Sequence, residues 1–77
     1  VATLRKLFGK KLRSLRKGRG NTQEEFAELL DISVDFLSLV ERGIGAPSFE
    51  SIEAFSLALG VPIRDFFDFA PDKPSKA

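Results

Sequence analysis

The chain has no cysteine and no histidine in its 77 residues. Without cysteine no disulfide can brace it, and with both types gone it lacks the two best transition-metal ligands. The same absences remove the commonest general base and the best thiolate nucleophile. Carboxylates and serines remain, but so short a chain has little room for a substrate cleft, so neither an enzyme nor a metal or other cofactor is expected. No apolar run approaches the ~18 residues that span a bilayer. The basic start is not followed by the uninterrupted apolar stretch of a signal peptide. The expected location is cytoplasmic, and the lack of cysteine fits a reducing compartment.

What is present must therefore hold the fold by packing. A domain this small buries only about 60% of the surface its unfolded chain exposes, and its eight phenylalanines are the largest apolar supply. Net charge is +1 but is unevenly spread. Residues 1–23 hold eight basic side chains and no acid: Arg5, Lys6, Lys10, Lys11, Arg13, Arg16, Lys17 and Arg19. Residues 24–77 hold eleven acids and four bases. A basic end on an acidic body points to a polyanionic partner on one side.

No strand signal or internal repeat is visible. Leu4, Leu7, Phe8, Leu12 and Leu15 recur at helical spacing, predicting a helix over 3–17 with Thr3 as N-cap and Gly18 and Gly20 as terminators. Thr22-Gln23-Glu24-Glu25 has the form of a capping box opening a second helix with Phe26, Leu29 and Leu30 as its stripe. Asp31-Ile32 predicts a turn. Ser33 then caps a third short helix with Leu37 and Val40 inward and Gly43 at its end. Ser48 caps a fourth through Phe49, Ile52, Phe55 and Leu59, closed by Gly60. Pro62 suits the first turn of a fifth, carrying Ile63, Phe66 and Phe67. Residues 71–77 hold no core former and are expected to be a disordered tail.

Two short helices thus meet at a tight turn in 23–42. Their close crossing needs a small residue, which Ala27 supplies, and apolar closure at Phe26, Leu30, Ile32, Leu37 and Val40. With Leu12-Arg13-Ser14-Leu15-Arg16, Thr22 to Glu28, Ile32-Ser33, Phe36-Leu37-Ser38, Glu41-Arg42-Gly43, Pro47-Ser48 and Ala58-Leu59-Gly60-Val61, the sequence resembles the phage repressor and Cro group of helix-turn-helix regulators, also called the XRE type. The resemblance covers about residues 4–69. It implies an all-α, five-helix, lambda-repressor-like DNA-binding domain over 1–70 that regulates transcription. It makes 33–42 the recognition helix in the major groove. Gln23 would bond a phosphate, and backbone N–H groups near Thr22 and Ser48 would face phosphates. Arg16 would pair with Glu41 as a structural tie and also reach the DNA backbone.

With Leu37 and Val40 inward, a turn of about 100° per residue sends Asp35, Leu39 and Arg42 most directly outward, with Ser38 and Val34 on one flank and Phe36 on the other. Ser33, Val34, Asp35, Ser38 and Leu39 are the candidates for base contact. Thr22, Gln23, Arg16, Arg19, Phe36, Arg42 and Ser48 are the candidates for phosphate. Asp35 can accept from cytosine N4 but repels phosphates, and Val34 and Leu39 suit thymine methyl groups. A bland alternative makes Val34 a helix flank. Relatives carry basic residues in the loop after this helix, where this chain has Ile44, Gly45 and Ala46. Steep salt dependence is expected from the phosphate contacts.

One short helix reads too few base pairs to find a site in a genome, so a homodimer is expected, with Ile63, Arg64 and Phe69, joined by Ile44, at a two-fold contact. The alternative folds Phe69 back on the first helix. Two other functions compete. One is a protein-interaction module that keeps the fold without reading DNA, favoured by Asp35, Leu39 and the loop's lack of base. The other uses 3–17 as a basic amphipathic helix on an anionic membrane, but the helix-turn-helix core already needs that helix's apolar face. Gly43-Ile44-Gly45 is not a nucleotide loop, since no strand precedes it and no lysine follows. A bacterial, phage or plasmid origin is expected.

Overall fold

The computed structural model describes residues 3–69. The tail expected at 71–77 lies outside them. Four α-helices follow one another: α1, Leu4–Arg19; α2, Gln23–Leu30; α3, Val34–Glu41; and α4, Phe49–Leu59. A single 3₁₀ segment, Ile63–Phe67, closes the fold. No strand occurs among the described residues.

Side-chain caps start every α-helix. Oxygens of Thr3, Thr22, Ser33 and Ser48 accept from the backbone N–H three residues on, satisfying donors that a helix start leaves unpaired. At Thr22 the box is complete, because Glu25 also accepts from the Thr22 N–H at 2.9 Å. That bond, together with one to the Asn21 side chain, holds the Glu25 carboxyl below its usual range. Gly20 and Gly60 end α1 and α4 in the left-handed region. Asp31 ends α2 there too, at φ 60°, and is the only non-glycine with positive φ among the described residues.

Two expectations need correction. The first helix runs on through Gly18 to Arg19, because Gly18 merely weakens a helix while Gly20 alone takes the left-handed turn. The fifth α-helix is instead the five-residue 3₁₀ segment, with the Asp65 N–H bonded to the Pro62 carbonyl. Asp68 then turns away from helical geometry, leaving no room for an α-helical run.

The core is one cluster of Phe8, Leu12, Phe26, Ala27, Leu30, Leu37, Val40, Ile52, Phe55, Leu59 and Phe66. α1 packs across α3, and α2 joins α3 to α4. The α1–α3 crossing is tight at Gly9, where a Cβ would lie 2.1 Å from the Val40 carbonyl oxygen. The Phe8 ring packs against Phe66 and Phe67 at centroid distances of 5.9 and 5.5 Å, tying the C-terminal segment to α1. Several apolar residues expected inside lie outside. Phe49 is 83% exposed and Leu4 59%, because each sits in the first turn of its helix, beyond the edge of the core. Leu29 and Phe67 are also exposed, although Phe67 packs on Phe8.

Candidate nucleic-acid interface

The turn between α2 and α3 fixes their angle by local bonds. The Asp31 N–H bonds the Glu28 carbonyl at 3.1 Å, and Ile32 N–H bonds that of Ala27 at 3.0 Å. Ser33 then restarts the chain as a helix, its Oγ accepting from Phe36 N–H at 3.0 Å. Ala27 is buried in the core cluster.

A polar network ties this unit to α1. Arg16 Nε donates to Glu41 Oε2 at 2.7 Å and its Nη2 to Oε1 at 3.0 Å. Its Nη1 donates to the Asn21 carbonyl at 3.1 Å. Gln23 Nε2 adds a third donor to the Glu41 carboxylate, at 3.1 Å. The Arg16 and Glu41 side chains are only 11% and 3% exposed. The bond to Glu41 holds the Arg16 pKa above its ordinary value against the opposing effect of burial. The network joins the last turn of α1, the start of α2 and the end of α3, so α3 cannot rotate without breaking a buried charge pair.

Around it the candidate residues take distinct places. Ser33 and Asp35 are exposed on the first turn of α3. Val34, Ser38 and Leu39 are half-buried, and Val34 packs on the core. Leu39 is thus less outward than helical geometry alone implied, because the following loop folds back on it. The N–H groups of Ile44 and Gly45 both bond the Leu39 carbonyl, and a Cβ at Gly45 would sit 3.3 Å from that of Leu39. Phe36 packs against the core as well.

Arg16 engages all three guanidinium nitrogens within the protein. Arg19 donates to the Leu59 carbonyl at 3.3 Å, at the end of α4. Thr22 and Ser48 are exposed with their side chains in the caps. Arg42 is exposed, its Nε leaning on the Ser38 carbonyl. A shallow cleft between α1 and α3 is lined by Arg13, Arg16, Gln23, Ser38, Glu41 and Arg42. Arg13 was not singled out from the sequence. Its signal was available in its spacing, one turn before Arg16 on the same helix.

The residues considered for a two-fold contact differ in exposure. Ile44, Ile63 and Arg64 are exposed. Phe69 is half-buried and meets the Phe67 ring edge-on at 6.1 Å, so it packs on its own C-terminal segment. Beside them is an apolar hollow lined mainly by Leu4, Phe8, Pro47, Phe49, Ile52 and Phe67. Among the described residues no His, Cys, Asp and Glu cluster is arranged to hold a metal, and no helix is long and apolar enough to cross a membrane.

The chain is similar to several proteins named as regulators. The control protein C.BamHI of Bacillus amyloliquefaciens is 40% identical over 86% of this chain and 83% of its own length. The transcriptional regulator ClgR of Mycobacterium tuberculosis is 36% identical over 82% of this chain, which spans 56% of that longer protein. Among solved structures, the clp gene regulator ClgR from C. glutamicum superposes with a TM-score of 0.80 at 35% identity, covering 90% of each chain. The restriction-modification controller protein C.AhdI from Aeromonas hydrophila does so at 0.76 and 33% identity, covering 82% of this chain and 96% of that one. Residues 12–66 match the helix-turn-helix family. The chain belongs to the XRE-type helix-turn-helix family of DNA-binding transcriptional regulators and is not an enzyme.

Proposed function

We propose that this protein is a sequence-specific regulator that acts in the cytoplasm as a homodimer and reads operator half-sites by laying α3 in the major groove. The observation that carries the reading is the start of α3, where Ser33 and Asp35 are exposed while Arg16, Gln23 and Glu41 brace the same unit. Ser33, Val34, Asp35, Ser38 and Leu39 form the reading face. Asp35 accepts from a cytosine N4 amino group, and Val34 and Leu39 pack on thymine methyls. Thr22, Gln23, Arg42 and Ser48 meet phosphates, aided by the amino ends of α2 and α4.

Dimerisation places two reading helices one helical turn of DNA apart, about 34 Å. Leu4, Ile44, Phe49, Ile63 and Phe67 are all more than a third exposed, and Phe49 and Phe67 flank the apolar hollow. The two-fold contact therefore centres on Phe49 and the hollow, with Ile44, Ile63, Arg64 and Phe69 around it. Similarity to C.BamHI over most of both chains favours a control-protein type of regulator.

The test is to expose the protein to a pool of random duplexes at low salt and sequence what is retained. Enrichment of an inverted repeat supports the reading. The competing role, a protein-interaction module, is favoured by the acidity of the helix-turn-helix unit, and it gains if no duplex is retained.

A further inference from the structure

The reading unit is badly charged for its partner. Residues 23–42 carry six acids and one base, Arg42, and the nearest cation, Arg16, is committed to Glu41. A duplex bears one negative charge per about 1.7 Å of axis, so this unit alone is repelled by the molecule it is meant to read. α1, in contrast, carries eight bases and no acid.

Four of those eight fall on one stripe. Lys6, Lys10, Arg13 and Lys17 follow one another at steps of four, three and four residues, within about 40° of a common line on the helix and over about 16 Å of its length. All four are exposed, and no hydrogen bond or ion pair engages their charged groups among the described residues. The stripe adjoins the reading unit at two points. Arg13 lines the cleft that also holds Gln23, Ser38 and Arg42, and Lys6 lies against Gly43, just past the end of α3. From Arg13 the basic surface continues across a shallow depression formed with Lys10, Ser14 and Lys17.

We infer that this α1 stripe is a second nucleic-acid surface, which grips the sugar-phosphate backbone beside the half-site and supplies most of the affinity, while α3 supplies the sequence preference. This assignment rests on the proposed DNA-reading function and deepens it. Affinity and specificity then sit on different helices, and the repulsion from Asp35 and the α2 carboxylates is offset by α1.

The experiment measures binding of a labelled duplex by fluorescence anisotropy across a salt series, for the wild type, Lys10→Gln/Lys17→Gln and Lys10→Arg/Lys17→Arg. Both lysines are exposed, so the fold is expected to survive, and circular dichroism checks that it does. Each lost phosphate contact lowers the slope of log K against log salt by about 0.9. The Gln pair should lower it by about 2 per protomer and weaken binding roughly tenfold per residue at 0.1 M salt. The loss should be equal for a selected duplex and a scrambled one, and the Arg pair should restore both slope and affinity. An unchanged slope in a folded Gln variant that still binds would overturn the inference and leave the proposed function standing. So would a variant whose self-association changes while its salt slope does not, since the stripe would then serve a protein surface. Failure of the wild type to bind any duplex would overturn both.

Discussion

At the scale of single residues, Glu41 ties α3 to α1. Its carboxylate takes two bonds from Arg16 and one from Gln23, nearly out of contact with water. Removing one partner of such a pair strands a buried charge, which costs about 3–5 kcal/mol. A domain of this size has a total stability of roughly 4–11 kcal/mol, so Arg16→Met or Glu41→Leu alone should remove a large share of it. The double change should recover most of the loss, as a urea double-mutant cycle will reveal. Two glycines of α1 offer a paired test. At Gly9 an added methyl meets the Val40 carbonyl oxygen, and Gly9→Ala should cost at least about 3 kcal/mol. At Gly18 nothing lies within 4 Å, and Gly18→Ala should stabilise by about 0.5–1 kcal/mol through helix propensity. Equal effects of the two changes in thermal unfolding would contradict the α1–α3 crossing described here. Gly9 was illegible in the sequence because its reason is a carbonyl 31 positions away, which no local pattern records.

At the scale of elements, legibility followed locality. Four N-caps and two glycine stops could be read because a cap is a bond across three residues. The C-terminal segment was misread because Pro62 starts either kind of helix equally well, and only the early departure at Asp68 selects the 3₁₀ form. Phe49 was misread because it keeps step with Ile52 and Phe55, while whether the core extends beneath the first turn of α4 depends on where α1 begins. The capping box of α2 makes a pH prediction. Glu25 has its pKa lowered on folding, so its contribution is complete above the unfolded value near 4.5 and is lost as pH falls through the folded one. Glu25→Gln should therefore lose less stability than the wild type as urea titrations step below pH 4.5. A steeper acid loss in the variant would count against the box.

At the scale of the whole molecule, charge and apolar surface are separated. Bases gather on α1 and acids on α2–α4, while exposed Leu4, Phe49, Ile63 and Phe67 line adjoining apolar hollows, with Ile44 next to the Gly45 that lines one of them. The sequence showed the charge division directly, but it could not show those hollows, since their members come from four separate segments. Phe49→Ser should leave unfolding of the monomer within about 0.5 kcal/mol of wild type, as for other exposed sites, and weaken self-association at least tenfold in sedimentation equilibrium. Unaltered association would move the two-fold contact elsewhere.

The claim that α3 reads bases is tested most directly by the motif itself. Random duplexes should be selected in parallel with the wild type and with Asp35→Asn. A carboxylate accepts from cytosine N4, whereas an amide pairs with adenine N6 and N7. The wild type should select an inverted repeat, and the variant should exchange cytosine for adenine at one position of each half-site, leaving the other positions as they were. An identical motif from both proteins, or none from the wild type, would contradict base reading by α3.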